Sequence, residues 1–175
     1  MTQGGGQAGE AAGGTGSPLE GTRRVVIWID ADACPGEIRE IVFRASERLQ
    51  LPVCLVANRP IASHPSSLVR SIQVPKDFNA ADAFIAASIG AGDIVVTGDV
   101  PLAAAVADKG GLAISSRGEV FDAESAGEKL SLRDFYQGLR GGGLIQGGPP
   151  PFSAADRHQF AAALDRELTK RLKGL

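Results

Sequence analysis

Two apolar runs, each ending in acid, constrain this chain more than any other feature. Val25, Val26, Ile27, Trp28 and Ile29 are followed at once by Asp30, Ala31 and Asp32, and Ile94, Val95 and Val96 lead through Thr97 and Gly98 to Asp99. An apolar run without polar alternation predicts a strand buried on both faces, as in a parallel sheet. A carboxylate at the end of such a strand is costly to desolvate unless it meets a cation or a good donor.

The intervening pattern supports that sheet. Pro35 suits the first position of a helix over 36–49, where Ile38, Ile41, Val42, Ala45 and Leu49 recur at helical spacing. Strands are expected at 25–30, 53–57, 69–74, 94–97 and 112–115, with a short hairpin near Val120 and Phe121. Further helices are expected at 79–89, 101–109, 132–139 and 154–172, the last with Phe160, Leu164, Leu168 and Leu172 on one face and Ser153 as cap. Strands alternating with helices imply an α/β architecture with helices on both faces of a mainly parallel sheet. Residues 1–22 hold eight glycines and little apolar bulk, so they are expected to form a disordered tail ahead of a single domain over 23–175. Within that domain, 141–152 is glycine- and proline-rich and is expected to act as a link.

Composition narrows the function classes. A net charge of −2 gives no global electrostatic case for nucleic acid, although Lys and Arg outnumber Asp and Glu by 7 to 4 from Ser131 onward. Two cysteines are too few for a disulfide framework, and His64 and His158 do not make a zinc pattern. No apolar stretch approaches the roughly 20 residues of a membrane span, and no secretory leader pattern opens the chain. A reduced, cytoplasmic setting is the expectation.

In a parallel sheet, ligands gather beyond the carboxyl ends of the strands. Asp30, Asp32 and Asp99 fall at that edge. Asp93 falls at the start of its strand, roughly 20 Å away at about 3.3 Å per residue, and is excluded. If the first strand continues through Asp32, its period of two puts Asp30 and Asp32 on one face. Asp82, in the first turn of its helix, joins them if that helix starts at the same edge. Each acid alone also suits a helix cap or helix start. Together they predict a hard-cation site, Mg²⁺ or Mn²⁺, able to act on a phosphodiester.

From Trp28 onward the chain resembles the YaiI/YqxD family of largely uncharacterised bacterial proteins. The matching segments are Ile29-Asp30-Ala31-Asp32-Ala33-Cys34-Pro35, Leu55-Val56-Ala57-Asn58, Ala80-Ala81-Asp82, a stretch from Gly92 through Thr97-Gly98-Asp99-Val100-Pro101 to Ala103, and Gly147-Gly148-Pro149-Pro150-Pro151-Phe152. That family in turn resembles PIN-like domains, which are metal-dependent nucleases. The resemblance implies a PIN-like three-layer sandwich, with Asp30, Asp82 and Asp99 as metal ligands and catalytic acids; Asp32 is expected beside them as a fourth catalytic residue, a ligand or a group that positions water. It also implies RNA as substrate and partner. PIN nucleases carry a further acid in between. Here Glu37 and Glu40 are only near, Asp32 is the candidate substitute, and Asn79 stands where relatives often have Asp.

Two competing functions follow from the same residues. A haloacid-dehalogenase-type phosphatase would use Asp30 as nucleophile and Asp32 as acid/base, but the residues after that pair are Ala33 and Cys34. A depleted acid set would instead suit a non-catalytic RNA- or protein-binding module. Cys34 at a helix start is a minor candidate for a reactive thiol. Asn58, Arg59, Lys76 and Arg117 follow strands and are candidates for substrate or phosphate contacts, with solvation the more ordinary role for each charge. The terminal helix carries Arg157, Arg166, Lys170, Arg171 and Lys173, again with solvation as the ordinary role.

Overall fold

A computed structural model describes residues 24–125, 128 and 151–173. Its chain order is β1 (Ile27–Asp30), α1 (Gly36–Leu49), β2 (Val53–Ala57), β3 (Val69–Gln73), α2 (Ala80–Ser88), β4 (Ile94–Val96), α3 (Val100–Asp108), β5 (Leu112–Ile114), β6 (Val120–Phe121) and α4 (Ala154–Lys173). The six strands form one sheet in the order β3-β2-β1-β4-β5-β6. Neighbours from β3 through β5 are parallel, and only β6 runs antiparallel to β5. The expected tail at 1–22, helix at 132–139 and most of the link at 141–152 lie outside the described residues.

Strand pleating divides the apolar runs between two cores. Ile27, Ile29, Val53, Leu55, Ile94 and Val96 face one side and pack with Ile38 and Val42 of α1 and with Phe160, Leu164 and Leu168 of α4. Val26, Trp28, Cys54, Val56 and Val95 face the other, against Ile85 of α2 and Leu102 and Val106 of α3. The result is a three-layer α/β sandwich. Each fully buried Ile, Leu or Val contributes about 1.5–3 kcal/mol of transfer free energy, so both faces of the central strands stabilise the fold. Leu172, expected on the inner face of α4, is instead exposed. By that turn Arg171 has reached the amino edge of the sheet, where its Nε donates to the Gly92 carbonyl at 3.1 Å.

Two features fix the ends of the sheet. Asp93 is fully buried ahead of β4. Its Oδ1 accepts from Val26 N at 3.1 Å, and its Oδ2 accepts from Trp28 Nε1 at 3.1 Å and Gly90 N at 3.0 Å. It ties the turn before β4 to the start of β1, at the edge opposite Asp30 and Asp99. At the other side Gly118, with φ of +87°, lets the β5–β6 turn meet α4; a Cβ there would lie 2.7 Å from the Gln159 carbonyl. Arg117 beside it pairs with Asp156 at 3.2 Å. Among the described residues no helix is long and apolar enough to cross a membrane.

The connectivity places the ligand edge. From β1 the chain passes through α1 to β2 on one side, and from β4 through α3 to β5 on the other. The sheet order therefore reverses between β1 and β4, where α/β sheets leave a crevice outside their carboxyl ends.

Candidate functional site

At that reversal lies a cleft of about 280 Å³ lined by Asp30, Ala33, Cys34, Val96, Thr97, Gly98, Asp99 and Ser116. Thr97 organises it. Its hydroxyl approaches Asp30 Oδ2 at 3.5 Å, the outer limit of a hydrogen bond, and accepts from Asp99 N at 3.1 Å. Asp99 is the N-cap of α3, with Oδ1 accepting from Leu102 N at 2.8 Å and Pro101 in the first turn. The cap needs one carboxylate oxygen only, so it holds Asp99 in place without exhausting it. Asp82, in the first turn of α2, lies close enough to Asp99 for the two carboxyls to act on one another.

The electrostatics agree that these acids share a space. Burial, then the charges of Asp82, Asp32 and Asp99, raise the Asp30 pKa to about 6, against a small opposing effect of Thr97. Burial, then the charge of Asp99 and the hydrogen bond to it, raise that of Asp82. Among the described residues, no lysine or arginine pairs with Asp30, Asp82 or Asp99. A somewhat larger depression, about 340 Å³, lies between α1 and α4, but its lining carries no carboxylate cluster and its Arg48 pairs with Asp165. Chemistry rather than size therefore selects the Asp30–Asp99 cleft.

Asp32 does not share this cleft. The ladder ends with Asp30 opposite Val56, and the chain turns after Ala31 N has bonded to Val56 O. The condition for placing Asp30 and Asp32 on one face is therefore not met. Asp32 Oδ2 accepts from Asn58 N at 2.8 Å. Its Oδ1 is shielded from water and lacks a well-oriented hydrogen bond, with Arg59 Nε as ion-pair partner at 3.3 Å. A guanidinium at that distance compensates the Asp32 charge whatever its angle.

The remaining candidates sort by contact. Asn79 has left-handed φ of 61°, makes no side-chain cap and is exposed. Burial pushes the Cys34 thiol up to about 12, with Arg39 opposing and Asp30 reinforcing the rise; any lowering by the helix start is outweighed. His64 packs on Phe43 with ring centroids 4.3 Å apart and accepts from Ser66 N. On α4, Arg157 pairs with Glu37, while Arg166, Lys170 and Arg171 surround the buried Glu167. Two contributors escape the sequence pattern. Ser116 carries no local signal, and Arg39 is hidden among ordinary helix charges.

A family model described as "Uncharacterized BCR, YaiI/YqxD family" matches residues 28–170. The chain belongs to the YaiI/YqxD family. Its relatives include a UPF0178 protein of Geobacter metallireducens, 54% identical over 147 residues, covering 84% of this chain and 95% of that one. A UPF0178 protein of Trichlorobacter lovleyi is 52% identical over 149 residues, covering 85% and 97%. One from Bordetella petrii is 52% identical over 140 residues, covering 80% and 93%. The YaiI/YqxD match takes in Asp30, Asp82, Thr97 and Asp99 together. Family membership carries no activity with it, so chemistry must be argued from the cleft.

The charged donors of the YaiI/YqxD cleft are carboxylate oxygens; Cys34 also lines it, with its thiol pushed up to about 12 by burial. Among the described residues, no three His, Cys, Asp or Glu side chains are gathered into a cage ready to hold a metal ion. The donor chemistry nevertheless suits a hard cation. Asp30, Asp82 and Asp99 come from separate elements, Asp82 and Asp99 raise the proton affinity of Asp30, and none of the three has a basic partner among the described residues, the situation a divalent cation relieves.

Proposed function

We propose that this chain is a divalent-cation-dependent phosphodiesterase acting on RNA. One observation carries the reading: Asp30 and Asp99 flank Thr97 at the sheet reversal, Asp82 lies close enough to act on Asp30, and among the described residues no lysine or arginine pairs with any of the three. The same three residues are the ones that the PIN-like resemblance implies as metal ligands. Asp30, Asp82 and Asp99 would hold Mg²⁺ or Mn²⁺, which supplies charge neutralisation and Lewis-acid polarisation of a phosphoryl oxygen. Thr97 fixes the rotamer of Asp30 and the backbone of Asp99, so both carboxylates are positioned before substrate arrives. A proton held by Asp30 would be released when a cation bound there.

A polymer substrate is favoured over a small phosphate ester by Phe78. It is 94% exposed on the loop between β3 and α2, four residues before Asp82. An exposed aromatic ring is a stacking platform for unpaired bases. The phosphatase alternative needs Asp32 beside Asp30 as acid/base, whereas Asp32 is engaged by Asn58 and Arg59.

The test is calorimetric titration with Mn²⁺ alongside cleavage of a labelled single-stranded RNA, for wild type and Asp99→Asn. Saturable Mn²⁺ binding and Mn²⁺-dependent cleavage, both lost in the variant, are expected. RNA binding without turnover would instead make the chain a binding module. Radiolabel trapped on Asp30 from a phosphate ester would make it a phosphatase.

A further inference from the structure

A second cavity, about 300 Å³, opens at the same edge between the ends of β1 and β2. Its lining is Ala31, Arg39, Ala57, Arg59, Pro60, Ile61 and Ala62, which includes two arginines and no acid. Ala31 directly follows Asp30, so the two cavities flank the end of one strand, with Cα atoms about 3.8 Å apart at the divide.

The two arginines are available in different degrees. The Arg39 side chain makes no hydrogen bond or ion pair among the described residues; its Nη2 folds back over α1, 3.7 Å from where a Gly36 Cβ would sit. Arg59 meets Asp32 through Nε, leaving its two terminal nitrogens without a described partner. Glu37, two residues before Arg39 on α1, is held by Arg157 at 3.2 Å. Two guanidiniums against one carboxylate leave the cavity with net positive charge. Planar forks of this kind suit the tetrahedral oxygens of a phosphate better than they suit a neutral ligand. An acid-lined cleft and an arginine-lined cavity side by side match, respectively, the reacting phosphodiester with its cation and a neighbouring backbone phosphate.

We propose that the Arg39–Arg59 cavity is a phosphate-binding subsite that anchors a backbone phosphate of the nucleic-acid strand next to the carboxylate cleft. The identity of the anion as a strand phosphate rests on the phosphodiesterase reading; the affinity of the cavity for phosphate does not. Asp32 is its internal competitor, since it shares Arg59 with the incoming anion.

The experiment is an NMR titration of the full chain with inorganic phosphate in chelator, following the Arg Nε–Hε signals and the Ala57 and Ile61 amides. Wild type is expected to show saturable shifts at Arg39 and Arg59. Arg39→Gln and Arg59→Gln should each weaken binding about tenfold, whereas Asp32→Asn, which frees Arg59, should tighten it several-fold. Opposite signs in neighbouring variants separate a binding effect from misfolding. No saturable shift in wild type, or unchanged affinity in the two arginine variants, overturns the subsite. A parallel Mn²⁺ titration reads Asp30 and Asp99 independently. If phosphate binds but Mn²⁺ does not, the subsite stands and the phosphodiesterase reading falls.

Discussion

Replacing Asp30 with asparagine should make the cation-free protein more stable at neutral pH. The amide has nearly the shape of the protonated acid and can still accept from Thr97, but it carries no charge against Asp82, Asp32 and Asp99. The native pKa of Asp30 is about 6 against an ordinary 3.8. A rise of that size corresponds to roughly 3 kcal/mol for a group sealed from water. Asp30 is only part-buried, so solvent screening reduces this to about 1–2 kcal/mol. Because the folded state holds the proton more tightly, the associated stability is fully present below pH 3.8 and is lost as pH rises through about 6. Thermal melts of wild type and Asp30→Asn in chelator, from pH 4 to 7.5, should therefore diverge. The gap is expected to be near zero at pH 4 and to reach about 3–6 °C above pH 6.5 in favour of the variant. Adding Mn²⁺ should stabilise wild type alone and close the gap. A pH-independent gap, or a variant less stable at neutral pH, would refute the picture of an uncompensated acid cluster.

Other substitutions separate structural from functional acids. Asp93→Ala leaves three donors without their acceptor, and urea unfolding followed by Trp28 fluorescence should show a loss of about 3 kcal/mol or more. Asp99→Ala should cost about 1 kcal/mol through the α3 cap, while Asp99→Asn, a good cap, should melt close to wild type; equal melting of the two would refute the capping role. Cys34, with its thiol pushed up to about 12, should alkylate with iodoacetamide at pH 8 at least about a hundredfold more slowly than a free cysteine, and mass spectrometry of the labelled peptide reads this directly.

Much of the scaffold is encoded locally. The runs at 25–29 and 94–96 are apolar throughout because both faces of β1 and β4 meet a core, and that pattern alone implies parallel neighbours under helices. From strand direction it follows that Asp30 and Asp99 share an edge that Asp93 does not. Helix limits also lie close to expectation; α2 spans Ala80–Ser88 against an expected 79–89, since capping residues and glycines are local signals.

Partner choice is not local, and there the tertiary structure decides. Whether Asp32 joins Asp30 depends on where β1 stops and on Arg59 arriving from the end of β2, across a sheet neighbour 26 positions along the chain from Asp32 to Asn58. The raised Asp30 pKa is a through-space sum over burial and three acids from other turns and elements. The thiol of Cys34 is pushed up by burial that no spacing reveals. Local order along a chain sets which edge an acid reaches, because strand direction is fixed by a few residues. Which charge it meets there, and therefore whether it is a cap, an ion pair or an acid without a basic partner, is set only when distant segments close on the same few ångströms.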